Sequence, residues 1–413
     1  MTLAGQAGAK RERGSRIVKQ PRGVLRVSQR FAAARTAELY HRDLSPPPAD
    51  AGVRFGRRDL DAIIAGAPFA GRVTVRTFLQ TLDAPLNYVV ALPVRNEESY
   101  LPRTLTALRT ALETAPQSGG VVAVVNNSSD ASAAIIRAWA AECGVPLCLV
   151  DVALDPEIRN APHARRLALD VAARVAPRGL LLTSDADSQV APSWAARMLA
   201  MWQQGCRLVW EDIRLDEAEL AHLPAQVRAV GDAERAYFAA SHRLWRRWTD
   251  AAVAPFAIRA SGASMAVCAA AYRALGGLPI PSVGEDKALT HAMLERGYPI
   301  GELIEGGTVT SGRFDGRAEG GCAAALQERA THPDPACDEL LIPVNALRRR
   351  ATLWNALPAG RERYRLFAQR LGSDAHLRSP RMHYGEVLSE LAIAEALLAR
   401  EDDGAAVGLT DVA

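Results

Sequence analysis

No run of eighteen or more apolar residues occurs in the sequence, which excludes a membrane-spanning helix. Cysteine is scarce. The six present (Cys143, Cys148, Cys206, Cys268, Cys322 and Cys337) form no C-x-x-C pair and have no histidine at zinc-finger spacing, so neither a disulfide scaffold nor a structural zinc site is expected. The thiols are expected to be reduced, and the expected compartment is the cytosol. Net charge is also small. The excess of +3 on 413 residues gives no argument for a nucleic-acid partner. The G-x-x-x-x-G-K-[ST] phosphate loop is missing, which disfavours a P-loop kinase, and the eight histidines form no metal pair at helical spacing.

The charge bias that exists is local. Lys10, Arg11, Arg13, Arg16, Lys19, Arg22, Arg26 and Arg30 crowd the first thirty residues against Glu12 alone. With no apolar core to this stretch, it reads as a basic, partly disordered arm and not as a secretory signal. The sequence as a whole is 49% hydrophobic and 23% charged, the balance of a globular chain with one main domain and extensions.

Residues 1–84 form the N-terminal extension; only Gly71 to Gln80 alternates like a strand, after the Pro46-Pro47-Pro48 linker. From Leu86 the pattern becomes regular. Strands are predicted at Tyr88 to Leu92, Val121 to Val125, Leu147 to Val150, Leu180 to Thr183 and Arg207 to Trp210. Helices alternate with them at Glu98 to Leu112, Ser132 to Glu142, Ala164 to Val175 and up to Gln204. Such alternation implies an α/β fold, a mainly parallel sheet with helices on both faces. A long helix is expected at Gln226 to Trp248, another from Glu285 to Arg296 stopped by Gly297, and a mainly helical C-terminal extension over 326–413.

The chemistry-bearing residues sit at strand ends. Asp185-Ala186-Asp187 follows Leu180-Leu181-Leu182, and an open α/β sheet places its ligands outside the carboxyl ends of its strands. Two acids one residue apart can share a hard cation whose remaining positions are filled by phosphate and water. As an isolated motif the pair could equally cap the helix that follows. Leu92-Pro93-Val94-Arg95-Asn96-Glu97-Glu98 ends the first strand of the regular region, Val125-Asn126-Asn127-Ser128-Ser129-Asp130 ends the second, and Gly284-Glu285-Asp286 opens a late helix.

In this order and spacing, the four segments resemble family 2 nucleotide-sugar glycosyltransferases of the GT-A fold, over roughly residues 86 to 325. The resemblance implies a glycosyltransferase domain at 85–325, of the hexosyltransferase class. It would move a sugar from a nucleoside-diphosphate donor to an acceptor hydroxyl, with inversion and with Mg²⁺ or Mn²⁺ as cofactor. It places Pro93, Asn96, Glu97, Asn126, Asn127, Asp130, Arg165 and Asp185 beside the nucleotide, and Asp185 and Asp187 at the metal. Asp286, with Glu285 beside it, is implied as the base that takes the acceptor proton. Asn126 stands where the family often has an acid, which leaves the base of the nucleotide open. Thr310-Ser311-Gly312-Arg313-Phe314-Asp315-Gly316-Arg317 resembles an S-x-R-x-x-G-R element, in which Arg313 and Arg317 would close over the diphosphate.

Two other readings stand beside this one. A nucleotidyltransferase would need a Gly-rich basic loop after the first strand, and Leu92 to Glu98 contains no glycine. A degenerate member would bind nucleotide sugar or a partner without turnover, which the retained Asp185, Asp187 and Asp286 oppose. Ser241-His242-Arg243-Leu244-Trp245-Arg246-Arg247-Trp248 is either a half-buried packing helix or a face for peripheral contact with a membrane and a lipid-linked acceptor; a small-molecule acceptor is the other expectation.

Overall fold

The computed structural model describes residues 55–82, 86–251, 259–303, 306–316, 321–360 and 362–407, with side chains through residue 400. The basic arm and Arg317 lie outside the described residues. Eight strands form one sheet in the order β1-β4-β3-β2-β5-β9-β7-β10. They are β1 (Val73–Gln80), β2 (Tyr88–Val94), β3 (Gly119–Asn126), β4 (Leu147–Leu154), β5 (Leu180–Thr183), β7 (Leu208–Glu211), β9 (Met265–Cys268) and β10 (Ile300–Leu303). Six run parallel to one another; β1 is antiparallel to β4, and β9 is inserted antiparallel between β5 and β7. A small second sheet, β6-β11-β8, joins Ser188–Gln189, Val309–Thr310 and Arg214–Leu215.

The central strands are apolar on both faces because both faces are covered. One face holds Val89, Val122, Val150, Leu181 and Trp210 under the helices Ala161–Val175 and Glu285–Glu295. The other holds Val90, Ala123, Leu149 and Leu182 under Leu101–Thr114, Ser132–Cys143 and Trp194–Gln203. The alternating segment at 71–80 is β1, the sheet's edge, and Phe55, Leu60, Phe69 and Leu82 around it enter the same core.

The helix expected from Glu98 starts instead at Leu101, with Pro102 in its first turn. Residues 95–98 are held in a loop by hydrogen bonds described below. The late helix ends at Glu295, and Gly297 (φ 72°) supplies the left-handed stop.

A third core forms where the long helix Ala225–Trp248 meets the helices Val344–Ala356, Glu362–Ser373 and Tyr384–Val407. Leu244 and Trp245 are fully buried there, Trp245 packing edge-on against Trp354 and Phe367. The aromatic content of the Ser241 to Trp248 stretch is thus used largely in internal packing. Among the described residues no helix is long and apolar enough to cross a membrane.

Candidate active site

Every parallel strand of the sheet ends on the same edge, and the strand-end motifs meet there in three knots of hydrogen bonds. The first laces the loop after β2 to the loop after β3. The Asn96 amide N–H donates to Ser128 Oγ (2.9 Å), and Asn96 Oδ1 accepts from the Ser129 N–H (2.8 Å). Asp130 accepts from the Glu98 and Ser132 N–H groups at 2.9 and 3.1 Å, while Glu98 accepts from the Ala131 N–H at 2.9 Å. Burial raises the Asp130 carboxyl, but these donors outweigh it and hold it below the ordinary range.

Asn96 (φ 51°) and Asn127 (φ 50°) both adopt the left-handed conformation that asparagine tolerates better than most residues. Asn127 extends the β3–β4 ladder with its side chain: Nδ2 donates to the Leu154 carbonyl at 3.0 Å and Oδ1 accepts from the Leu154 N–H at 3.1 Å. Asn126, the last residue of β3, is buried, and Pro93 is half-buried near the end of β2.

The second knot centres on Arg165, near the start of the helix Ala161–Val175. Its guanidinium donates through Nε to Glu285 Oε1 (2.9 Å), through Nη2 to Asp185 Oδ1 (2.6 Å), and through Nη1 to Thr183 Oγ1 (2.7 Å) and the Gly262 carbonyl (2.9 Å). Four acceptors occupy a buried fork, so Arg165 serves as a clamp inside the protein rather than as a free phosphate donor. Gly262 is required beside it, since a Cβ there would stand 2.2 Å from Arg165 Cζ. The Gly262 N–H in turn donates to Asp286 Oδ2 at 3.0 Å. Burial raises the Asp286 carboxyl, Glu285 raises it further, and Arg165 only partly opposes them. A helix N-terminus ordinarily lowers a carboxyl, and at Asp286 burial and Glu285 outweigh that effect.

In the third knot, Arg313 closes a bidentate fork on Glu97 (2.7 and 2.6 Å) and reaches Asp187 Oδ2 at 2.9 Å, with its guanidinium 4.6 Å from the centre of the Tyr100 ring. The Ser311 hydroxyl donates to the same Asp187 oxygen at 2.7 Å. Burial and neighbouring Asp185 push the Asp187 carboxyl up in spite of these partners.

Asp185 and Asp187 are the acids at this strand end that could share a divalent cation. Asp185 Oδ2 has no protein partner among the described residues, and the side chain is 35% exposed. No group of three His, Cys, Asp or Glu among the described residues could hold a metal alone. Mg²⁺ typically takes one or two carboxylates and completes its shell with phosphates and water.

Sequence reasoning did not single out Glu211. This carboxylate, fully buried at the end of β7, accepts from Ser264 Oγ (2.7 Å), Thr308 Oγ1 and the Gly307 N–H (3.2 Å) and pairs with Arg197. It ties the approach to β9 to the segment before β11. An acid directly after the apolar Leu208-Val209-Trp210 was the available signal.

Residues 89–259 match the family model described as Glycosyl transferase family 2. Among solved structures, S. aureus TarS 1-349 in complex with UDP-GlcNAc is 14% identical over 56% of this chain and 60% of that one, with a TM-score of 0.39. The mannosyltransferase PcManGT from Pyrobaculum calidifontis, in complex with GDP-Man and Mn²⁺, is 17% identical over 80% and 84%, with a TM-score of 0.42. Glucosyl-3-phosphoglycerate synthase from Mycobacterium tuberculosis, in complex with Mn²⁺, UDP and glucosyl-3-phosphoglycerate, is 16% identical over 60% and 81%, with a TM-score of 0.35. The chain thus spans 60% of the TarS chain it matches, and similarity at this level carries no argument about substrate. No curated protein matches it. The loops that end β2, β3 and β5 all fall inside residues 89–259, the segment that matches the model of glycosyl transferase family 2.

Proposed function

We propose that the protein is a metal-dependent, inverting hexosyltransferase that moves a sugar from a nucleoside-diphosphate donor to an acceptor hydroxyl. The observation that supports this most is the Arg165 clamp. By binding Asp185 and Glu285 at once, it draws the acids after β5 and the acids opening the helix Glu285–Glu295 into one cluster.

In this reading the nucleotide lies on the laced loops 95–98 and 126–130. Asn96, Glu97, Asn127 and Asp130 act mainly by fixing that surface, and Pro93 and Asn126 lie beneath it. Asp185 and Asp187 would hold Mg²⁺ or Mn²⁺, whose Lewis acidity stabilises charge on a departing diphosphate. Arg313 keeps a fixed positive charge beside Asp187. Asp286 takes the acceptor proton as the acceptor oxygen bonds to the anomeric carbon and the bond to the diphosphate breaks. Its raised carboxyl makes it a stronger base than an exposed aspartate. Arg165 and Glu285 position it through Gly262 and the helix start.

The test is nucleoside-diphosphate release from UDP-, GDP- and dTDP-sugars, with Mn²⁺ or Mg²⁺ and after chelation, across a panel of acceptor alcohols. Release should require metal, and Asp286→Asn should reduce it by about 10²–10⁴-fold while leaving nucleotide binding intact. Turnover that survives both chelation and Asp286→Asn would sink the mechanism.

A further inference from the structure

The helix Ala225–Trp248 turns a second face toward the sheet. Ala239, His242, Arg243 and Arg246 lie at i, i+3, i+4 and i+7, and with Trp210 and Glu302 on the sheet they border a cavity of about 170 Å³. That is room for several waters, or for a phosphate group. Arg259 and Asp212 complete its wall.

Among the described residues, two guanidiniums in this wall, those of Arg246 and Arg259, are only loosely paired. Arg246 Nη2 stands 3.8 Å from Glu302 Oε2, and Arg259 Nη1 stands 3.5 Å from Asp212 Oδ1. Both separations exceed a good N–H···O hydrogen bond, so neither guanidinium has closed its fork on a carboxylate. Burial pushes the Glu302 carboxyl up to about 7 despite Arg246, which removes much of its negative charge at neutral pH. A second observation is independent of charge. Among the described residues the Trp210 indole N–H has no hydrogen-bond partner, although the residue is 2% exposed and lines the cavity. Buried donors are rarely left unmet.

Position relates this cavity to the candidate site. Thr183, Met265, Trp210 and Glu302 are successive register partners across β5, β9, β7 and β10, and so share one face of the sheet. Arg165 binds Thr183 at one end of that row, and Thr290, on the helix that carries Asp286, touches Met265 in its middle. Trp210 is two strands from Thr183, about 10 Å at ordinary strand spacing.

We propose that this cavity binds the phosphate group of a phosphorylated acceptor, holding its hydroxyl toward Asp286. The identification of the ligand as the acceptor rests on the reading of Asp286 given above; the binding test does not use turnover. Inorganic phosphate is titrated into the full chain by calorimetry, and the Trp210 indole N–H resonance, assigned by its loss in Trp210→Phe, is followed by NMR. Phosphate should shift that resonance. Arg246→Ala and Arg259→Ala should each weaken binding by about tenfold, Arg259→Lys should lose less, and Arg313→Ala should leave this binding unchanged. Absence of binding, a silent Trp210 resonance, or binding lost only in Arg313→Ala would overturn the proposal, and the resonance in the wild type decides even if a variant fails to fold. Competition by glycerol 3-phosphate assigns a soluble acceptor; Arg246-dependent sedimentation with phosphatidic acid vesicles assigns a lipid-linked one. Phosphate binding at Trp210 without any sugar turnover would leave this site standing and remove the glycosyltransferase mechanism.

Discussion

Arg165 and Asp185 are joined by a 2.6 Å contact in which the arginine side chain is 6% exposed and the aspartate 35%. The pair is asymmetric: the cation is locked inside the protein, while one oxygen of its partner is left for something else. A buried cation with four acceptors cannot be removed without stranding the groups it serves.

Arg165→Met should therefore destabilise the fold by about 3–5 kcal/mol, the usual cost of breaking a buried ion pair from one side. Arg165→Lys should recover only part, since one ammonium cannot reproduce the guanidinium fork. Urea unfolding is the check: a lower midpoint with an unchanged slope is expected, and a midpoint within error of the wild type would contradict the clamp.

Arg313 and Glu97 have side chains 12% and 9% exposed, so their bidentate pair is little screened. A double-mutant cycle with Arg313→Ala and Glu97→Ala should show a coupling of about 1–3 kcal/mol. Arg313→Ala also removes the cation beside Asp187. Mn²⁺ titrated calorimetrically in the presence of a nucleoside diphosphate should then bind more tightly to the variant than to the wild type.

The acid limb of the rate profile should lie above the ordinary aspartate range, because burial and then Glu285 raise the Asp286 carboxyl. Glu285→Gln removes a negative neighbour and makes ionisation easier. The limb measured in kcat/KM should therefore move to lower pH. A shift to higher pH would assign the limb to another group.

Glu302 gives a stability prediction independent of catalysis. Its folded carboxyl titrates at about 7 against an ordinary value of 4.5, so the folded state holds the proton more tightly. Stability from this group falls as pH rises from about 4.5 to 7 and is regained on acidification, with an upper magnitude of about 3 kcal/mol. Glu302→Gln should raise the melting temperature at pH 8 and leave it nearly unchanged at pH 4.5.

The sheet's centre was legible because doubly covered strands such as Val121 to Val125 must be apolar throughout, and the acids were legible because they interrupt such runs. What could not be read was long-range partnership. Nothing near Arg165 announces Glu285, 120 residues away, and nothing in Met265 to Cys268 says that this strand enters antiparallel between β5 and β7. Asn96 and Asn127 were read as ligand contacts, while their backbones require a left-handed turn and their side-chain amides bond neighbouring backbone. Residue type alone does not distinguish these uses. The basic stretch Ser241 to Trp248 held two faces at once, one packed in a core and one bordering a cavity, and only the helix's orientation separates them.

The family-matched segment and the cooperative folding unit have different borders. β1 lies before residue 89, and β9 and β10 lie after residue 259, yet β9 fills the gap between β5 and β7. A fragment trimmed to 89–259 would leave β4, β5 and β7 each with an unpaired edge and much of their apolar faces bare. Such edges recruit other chains, so the fragment should aggregate where the full chain stays dispersed.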